Sequence, residues 1–299
     1  KGMTWNHPRG YDPMIATSNE FNKKHSGKVD VQWSKRSLQA FADRPIQDMT
    51  NEFDLIVIDY PHVGEVAAKG LLAQLDTPHY DKQLINLRNE TVGLSCDSYK
   101  INHHQWALPI DAATQVAVRR HDLIEKLPVN WNDLIELSRN KKVMWPLKPV
   151  HAISSFYSIY NNIGKSFDPL NKNFVEKEQG VKTLEMMRVV SNFLSKECLS
   201  MDPILVAEEM SESDNIYYCP YLYGFSNYSR EGFRKNILSY VDVMDLSGKG
   251  PAGTHLGGTG IAVSNHSHNK DYAIEYAYWI ANSECQKNIF YSSGGQPGN

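Results

Sequence analysis

The sequence predicts an α/β fold with a largely parallel sheet, and three observations predict it. Strand-like and helix-like stretches alternate through the first 75 residues. The run from Phe53 to Ile58 is almost wholly apolar after Asp54, the pattern of a strand covered on both faces. Asp59-Tyr60-Pro61-His62 then follows directly, with Pro61 suited to a first helical position. A strand that carries polar and aromatic groups into a helix is how an open α/β sheet builds a ligand site.

The elements follow in order. Lys1-Gly2-Met3-Thr4-Trp5 is strand-like. After the polar loop Asn6–Gly10, Asp12-Pro13 predicts a helix start, and the helix stops near Ser26-Gly27. Val29, Val31 and Trp33 alternate as in a second strand, and residues 37–42 suit a short helix. Pro61 and Gly70 bracket the helix after the third strand. Trp106–Val118 contains two extended pieces around Pro109-Ile110-Asp111, as in a chain crossing between domains. Further helices are predicted over Val129–Leu137, His151–Ile163, Gly180–Leu194 and Pro203–Met210. In the second of these Ile153, Phe156, Tyr157 and Tyr160 share a face, and in the third Leu184, Met187, Val190 and Leu194 do. Val143–Trp145 reads as a short strand, and Ile216–Cys219 as one that ends at Pro220 before an aromatic loop, Tyr221–Tyr228. The glycine-rich stretch Gly248–Gly260 precedes a strand, Ile261–Ser264, and a helix over Lys270–Ala281.

With 299 residues the chain suffices for a large core and for two domains. A net charge of -3 supplies no basic footprint for nucleic acid. No run of 18 apolar residues is present. The abrupt start fits a removed leader, and the end is loop-like. The four cysteines form no CxxC pair, so buried free thiols are expected, with a Cys198–Cys219 disulfide as the alternative.

Several chemistries lack their motifs. Gly257-Gly258-Thr259-Gly260 has no following lysine and precedes a strand, so it does not read as a phosphate loop; its glycines let the backbone bend or approach a ligand closely. The eleven histidines show no HExxH spacing, and no metal or cofactor is expected. No GxSxG elbow occurs. Glu52, Asp54, Asp59, Glu65 and Asp111 contain carboxylates enough for glycoside hydrolysis, but no spacing brings two together. Asp59 and Asp111 suit acceptors for ligand hydroxyls, and equally a cap or a hinge salt bridge.

In a parallel sheet, Trp5-Asn6-His7 and Asp59-Tyr60-Pro61-His62 emerge on the same edge. Trp145-Pro146-Leu147-Lys148 and Tyr217-Tyr218-Cys219-Pro220 would do the same for a second domain. The expected ligand-binding residues are Trp5, Asn6, His7, Asp59, Tyr60, His62, Asp111, Trp145, Lys148, Tyr223, Asn227, Tyr228, Gly258 and Thr259. Aromatic faces would stack on the C–H surface of a small polar molecule, and polar groups would bind its hydroxyls. Lys148 and Arg230 leave room for an anionic substituent.

On DLIVIDYPHVGEVAAKGLLAQLD at 54–76, WALPIDAATQVAV at 106–118, LGGTGIAVS at 256–264 with the helix after it, and GGQPG at 294–298, the chain resembles the extracellular solute-binding proteins of bacterial ABC importers. The resemblance is to the sugar-binding group that includes the maltose-binding protein. It implies two α/β lobes of type II around a central cleft, lobe 1 being 1–110 plus 258–299 and lobe 2 being 111–257. Hinge crossings fall near 109–113 and 256–260. It also implies a monomer that captures a small polar solute, a sugar or sugar derivative, and hands it to the transmembrane subunits of an ABC permease. The protein would do no chemistry and use no cofactor. It would be periplasmic, or extracellular and membrane-tethered as a lipoprotein, after signal-peptide removal. Residues 3–11 and 223–228 depart from the usual sugar binders, which leaves the ligand open. A ligand-sensing subunit of the same fold and a glycoside hydrolase are the alternatives.

Overall fold

A computed structural model describes residues 1–37, 46–167 and 174–298. In chain order the elements are β1 (Gly2–Trp5), α1 (Pro8–Lys24), β2 (Trp33–Arg36), α2 (Ile46–Glu52), β3 (Leu55–Ile58), α3 (Val63–Ala68), α4 (Asp81–Glu90), β4 (Lys100–Ile101), β5 (His104–Gln105), β6 (Leu108–Arg119), α5 (Trp131–Arg139), α6 (Pro149–Asn162), α7 (Lys177–Ser191), α8 (Pro203–Glu212), β7 (Tyr218–Tyr223), β8 (Ser239–Val241), β9 (Leu256–Val263) and α9 (Lys270–Ala281). The chain divides into two compact units, Lys1–Ala112 with Gly257–Asn299, and Ala113–Leu256. No helix among the described residues is long and apolar enough to cross a membrane.

In the first unit β1 lies between β2 and β3 and runs parallel to both. The expected parallel sheet gains an antiparallel member, because β9 adds to the free side of β3 with Ile58 opposite Gly260. The carboxyl ends of β1, β2 and β3 therefore share an edge with the amino end of β9. Every residue of β3 is buried, as its unbroken apolar run requires. Ile56 and Ile58 pack with Met3, Met49, Val63, Val66, Tyr99 and Trp106 on one face. Burying each such side chain contributes about 1.5–3 kcal/mol. On α1, the Thr17 hydroxyl lies 2.8 Å from the Tyr276 phenol of α9, and the Trp33 indole donates to Ser18 at 2.8 Å.

In the second unit β7 and β8 pair antiparallel to β6. β7 runs through Pro220, where the sequence predicts a strand end. The pairing with β6 shifts register between Val116 and Val118, and a proline that cannot donate is tolerated at such an irregularity.

Other elements also differ from expectation. α1 begins at Pro8 rather than Asp12, because His7 takes the cap and its Nδ1 accepts from the Arg9 N–H at 3.1 Å. Pro13 then lies inside the helix. β2 starts at Trp33, past Val29 and Val31. The helix expected over 37–42 lies, Ser37 apart, outside the described residues. β6 is one continuous strand of 12 residues, not two pieces. Val143 makes a single bridge to Tyr218 rather than a strand. α6 turns Ile153 outward and buries Ile159; α7 turns Leu184 outward and buries Thr183. All four cysteines are buried and free, so the Cys198–Cys219 disulfide is not formed.

Glycines fix the shared edge. Gly258 has φ +99, and a Cβ there would stand 2.3 Å from the Asp111 carbonyl oxygen. A Cβ on Gly260 would stand 2.7 Å from the Tyr99 ring. Gly27 has a comparable φ of +80 with nothing within 4 Å. Gly27→Ala should therefore cost about 1–2 kcal/mol, the left-handed penalty alone. Gly258→Ala adds a backbone clash and should cost at least twice as much in denaturant unfolding; equal costs would refute the close approach.

Candidate functional site

The sheet edge of the first unit gathers residues that are distant in sequence. β1 ends at Trp5, opposite Arg36, and the Asn6 N–H donates to the Arg36 carbonyl at 2.7 Å. Asn6 is exposed, while Trp5 and His7 are buried with their rings stacked at 5.3 Å. Gly10 makes room for this indole, since a Cβ would stand 2.3 Å from it.

Arg9, in the first turn of α1, carries the strongest interaction of this edge. Its Nε donates to Asp111 Oδ2 at 2.6 Å and its Nη2 donates to Oδ1. Both side chains are almost fully buried, at 4% and 3% exposure. A guanidinium suits this place because its planar fork meets both carboxylate oxygens at once. The Asp111 carboxylate, expected as a ligand acceptor, is held instead in this pair; of the roles open to it, the salt bridge is the one observed.

Asp59 differs. It follows β3 and opens the turn Tyr60–His62, yet its side chain forms no hydrogen bond or ion pair with any described residue. It keeps some exposed surface, but burial pushes its carboxyl up to about 7. The charge of Asp111 adds to this rise, and Arg9 and Arg36 oppose it. Tyr99 packs behind, its phenol donating to the Ile58 and Gly258 carbonyls at 3.4 and 3.5 Å. Burial raises that phenol well above its ordinary value and lowers the imidazole of His62. Tyr60 and His62 are half-buried, and Thr259 is buried beside Gly258.

The second unit has its own aromatic cluster. Trp145, expected at a ligand, is fully buried; it donates to Ser155 Oγ at 3.1 Å and stacks on Tyr221 at 5.9 Å. From Ser155 a polar chain continues through Gln115 and Ser158 to the His255 N–H. The His255 Nδ1 shares a hydrogen bond of 2.5 Å with the Tyr223 hydroxyl. Lys148 precedes α6 and is half-buried. His151, one turn on, is pushed down to about 4 by burial, and its Nδ1 is buried with no hydrogen-bond partner among the described residues. Asn227 and Tyr228 lie in the interior, where the Tyr228 hydroxyl donates to Glu208 at 2.7 Å and Arg234 grips the same carboxylate.

The structure thus brings Trp5, Asn6, His7, Asp59, Tyr60, His62, Asp111, Gly258 and Thr259 to one unit, and Lys148 and Tyr223 to the other. It places Trp145, Asn227 and Tyr228 inside the second unit. Sequence reasoning missed Arg9, Tyr99, His151 and His255. Only Arg9 had a local signal, Pro8 just after a residue able to cap.

No protein-family model matches the chain. Among solved structures it is similar to maltose-bound MalE3 of T. maritima, with a TM-score of 0.83 and 13% identity over 99% of this chain and 80% of that one. It is similar to a solute-binding protein of an ABC transporter from Agrobacterium vitis S4 with bound D-mannitol, with a TM-score of 0.79 and 16% identity over 100% and 77%. A third, the ABC-transporter solute-binding protein of Agrobacterium radiobacter K84 with ribitol, gives 0.78 and 16% over 99% and 79%. At these identities the likeness is one of fold: the chain has the bilobed α/β periplasmic-binding-protein fold.

Two outcomes follow from the site. Arg9→Met leaves Asp111 buried and unpaired and should cost about 3–5 kcal/mol in urea unfolding, most of it restored by adding Asp111→Leu. His151 is held at about 4, below its ordinary 6.5. Its contribution to stability is therefore whole above 6.5 and falls away as the pH drops towards 4. His151→Gln should flatten that part of the stability profile, as followed by thermal melts from pH 7.5 to 4.

Proposed function

We propose that this protein captures a small polar solute of the sugar or polyol class and delivers it to the transmembrane subunits of an ABC permease, outside the cytoplasm. The observation that carries this reading is Asp59: a deep carboxyl at the carboxyl end of a parallel strand, with no hydrogen bond or ion pair to a described residue. Trp5, Asn6, His7, Tyr60 and His62 surround the same edge, and Gly258 and Thr259 complete it. Proteins of the same fold hold maltose, D-mannitol and ribitol, which supports the same ligand class here.

The chain passes between units at Ala112–Ala113 and at Leu256–Gly257. These passages would be the hinge. A ligand held by both units favours the closed form, and the closed form would present the surface that a permease reads. The protein would act as a monomer, periplasmic or tethered at a membrane as a lipoprotein.

The salt bridge of Asp111 supports binding over glycoside hydrolysis. Hydrolysis needs a second carboxylate able to act as nucleophile or base. Arg9 occupies both oxygens of Asp111, the carboxyl that acts most strongly on Asp59.

A thermal-shift and calorimetric screen with maltose, D-mannitol, ribitol and their relatives tests the proposal. A true ligand at a hundred times its Kd should stabilise the protein by about 2.7 kcal/mol and be recovered intact after long incubation. Asp59→Ala should weaken it roughly ten- to a hundredfold, the loss of one charge-assisted contact. Turnover of a sugar in place of binding would overturn the reading.

A further inference from the structure

The charged and titratable groups that face Asp59 come from five elements, and their arrangement bears on which solute the site accepts. From α1, Arg9 is fully engaged with Asp111 of β6, so neither charge is available to a ligand. From the end of β2, Arg36 acts on Asp59 through space. Tyr99, from the turn Asp97–Tyr99, donates its proton to two backbone carbonyls. On the turn of Asp59 itself stand Tyr60 and His62, the latter held below its ordinary value and so uncharged near neutrality. No described cation pairs with Asp59, and its carboxyl makes no hydrogen bond to a described residue.

We infer that Asp59 makes the site selective for uncharged, hydroxyl-bearing solutes over carboxylated ones, and that it couples their capture to release of a proton. The inference rests on ligand capture at this edge. A hydroxyl that donates to the carboxylate stabilises its ionised form, so the carboxylic acid ionises as the solute binds and its proton passes to the solvent. A carboxylated solute meets a like charge in a partly desolvated place, where the repulsion is weakly screened. The position of Asp59 near 7 in the free protein puts this exchange within the ordinary range of pH. The affinity for an uncharged solute then rises by up to about tenfold per pH unit below neutrality and levels off above it. The affinity for a sugar acid changes in the opposite sense.

The experiment is calorimetric titration of the full chain with maltose, D-mannitol and gluconate at pH 5.5, 6.5 and 7.5. Buffers of different ionisation enthalpy count the protons released. Wild type is compared with Asp59→Asn and with Asp59→Ser, in case one variant folds poorly. In parallel, carbon-13 carboxyl NMR follows the free wild-type protein, with the resonance of Asp59 assigned by its loss in the variants. The expected result is an Asp59 resonance that titrates near neutrality and an uncharged solute that binds at least tenfold tighter at pH 7.5 than at 5.5, with proton release. In Asp59→Asn the pH dependence should vanish and the preference over gluconate should shrink by tenfold or more. Binding with a flat profile in wild type, or an unchanged profile in both variants, overturns this inference and leaves solute capture standing. An Asp59 resonance that titrates wholly below pH 5 overturns it without any ligand. If Asp59 titrates near neutrality and none of the three solutes binds at any pH, capture of sugars and polyols fails, and the selectivity fails with it.

Discussion

The buried pair between Arg9 and Asp111 is the interaction on which the rest of the first unit's edge depends. It joins the first turn of α1 to β6 across 102 positions of sequence. Taking two charges out of water costs several kcal/mol each, and only bidentate geometry with short hydrogen bonds offsets that. Once formed, the pair dictates its surroundings. It holds α1 at Pro8, where His7 can cap it and stack on Trp5. It places the Asp111 backbone against Gly258, where any side chain would collide.

The same pair defines the electrostatics of Asp59. A carboxyl beside a free arginine would ionise readily. Here the Arg9 guanidinium is already matched, and burial with the charge of Asp111 outweighs the opposing pull of Arg9 and Arg36. Two acidic residues near each other thus end in different states, one held in a salt bridge and one with no hydrogen bond or ion pair to a described residue. Their types are identical in sequence, and the difference lies in which of them the arginine reaches.

Much of the fold was legible. β3 could be read because both its faces are covered, and an unbroken apolar run has few other homes. The helix expected from about Lys270 to Ala281 spans those residues. The start of α1 was not, because Pro8 and Pro13 are equally good openers and the choice belongs to the His7 cap. The sequence ends β7 at Pro220, because the register shift that excuses the proline exists only in the pairing of β7 with β6, where Pro220 and Tyr221 lie opposite the single residue Ala117. On α6, spacing alone did not tell that Ile159 and not Ile153 faces inward. The candidate site divided likewise. Strand ends rich in Trp, Asn, Asp and His were visible from the sequence. The burial of Trp145 and Tyr228 was not, since an aromatic residue serves a core and a cleft equally well.

By itself, then, the sequence determined the α/β class, the alternation of elements in the first unit, and a buried strand with Asp59 directly after it. Those are local properties, written in periodicity and in the residues that start and stop helices. Only the tertiary structure decided the partner of Arg9, the packing of Tyr99 against Gly260, and the lack of a hydrogen-bond partner for Asp59 among the described residues. Each of these depends on groups brought together by the sheet from far along the chain. No spacing rule links Arg9 to Asp111, or Tyr99 to Gly260; the physical reason is that burial and charge matching act through space, not along the sequence.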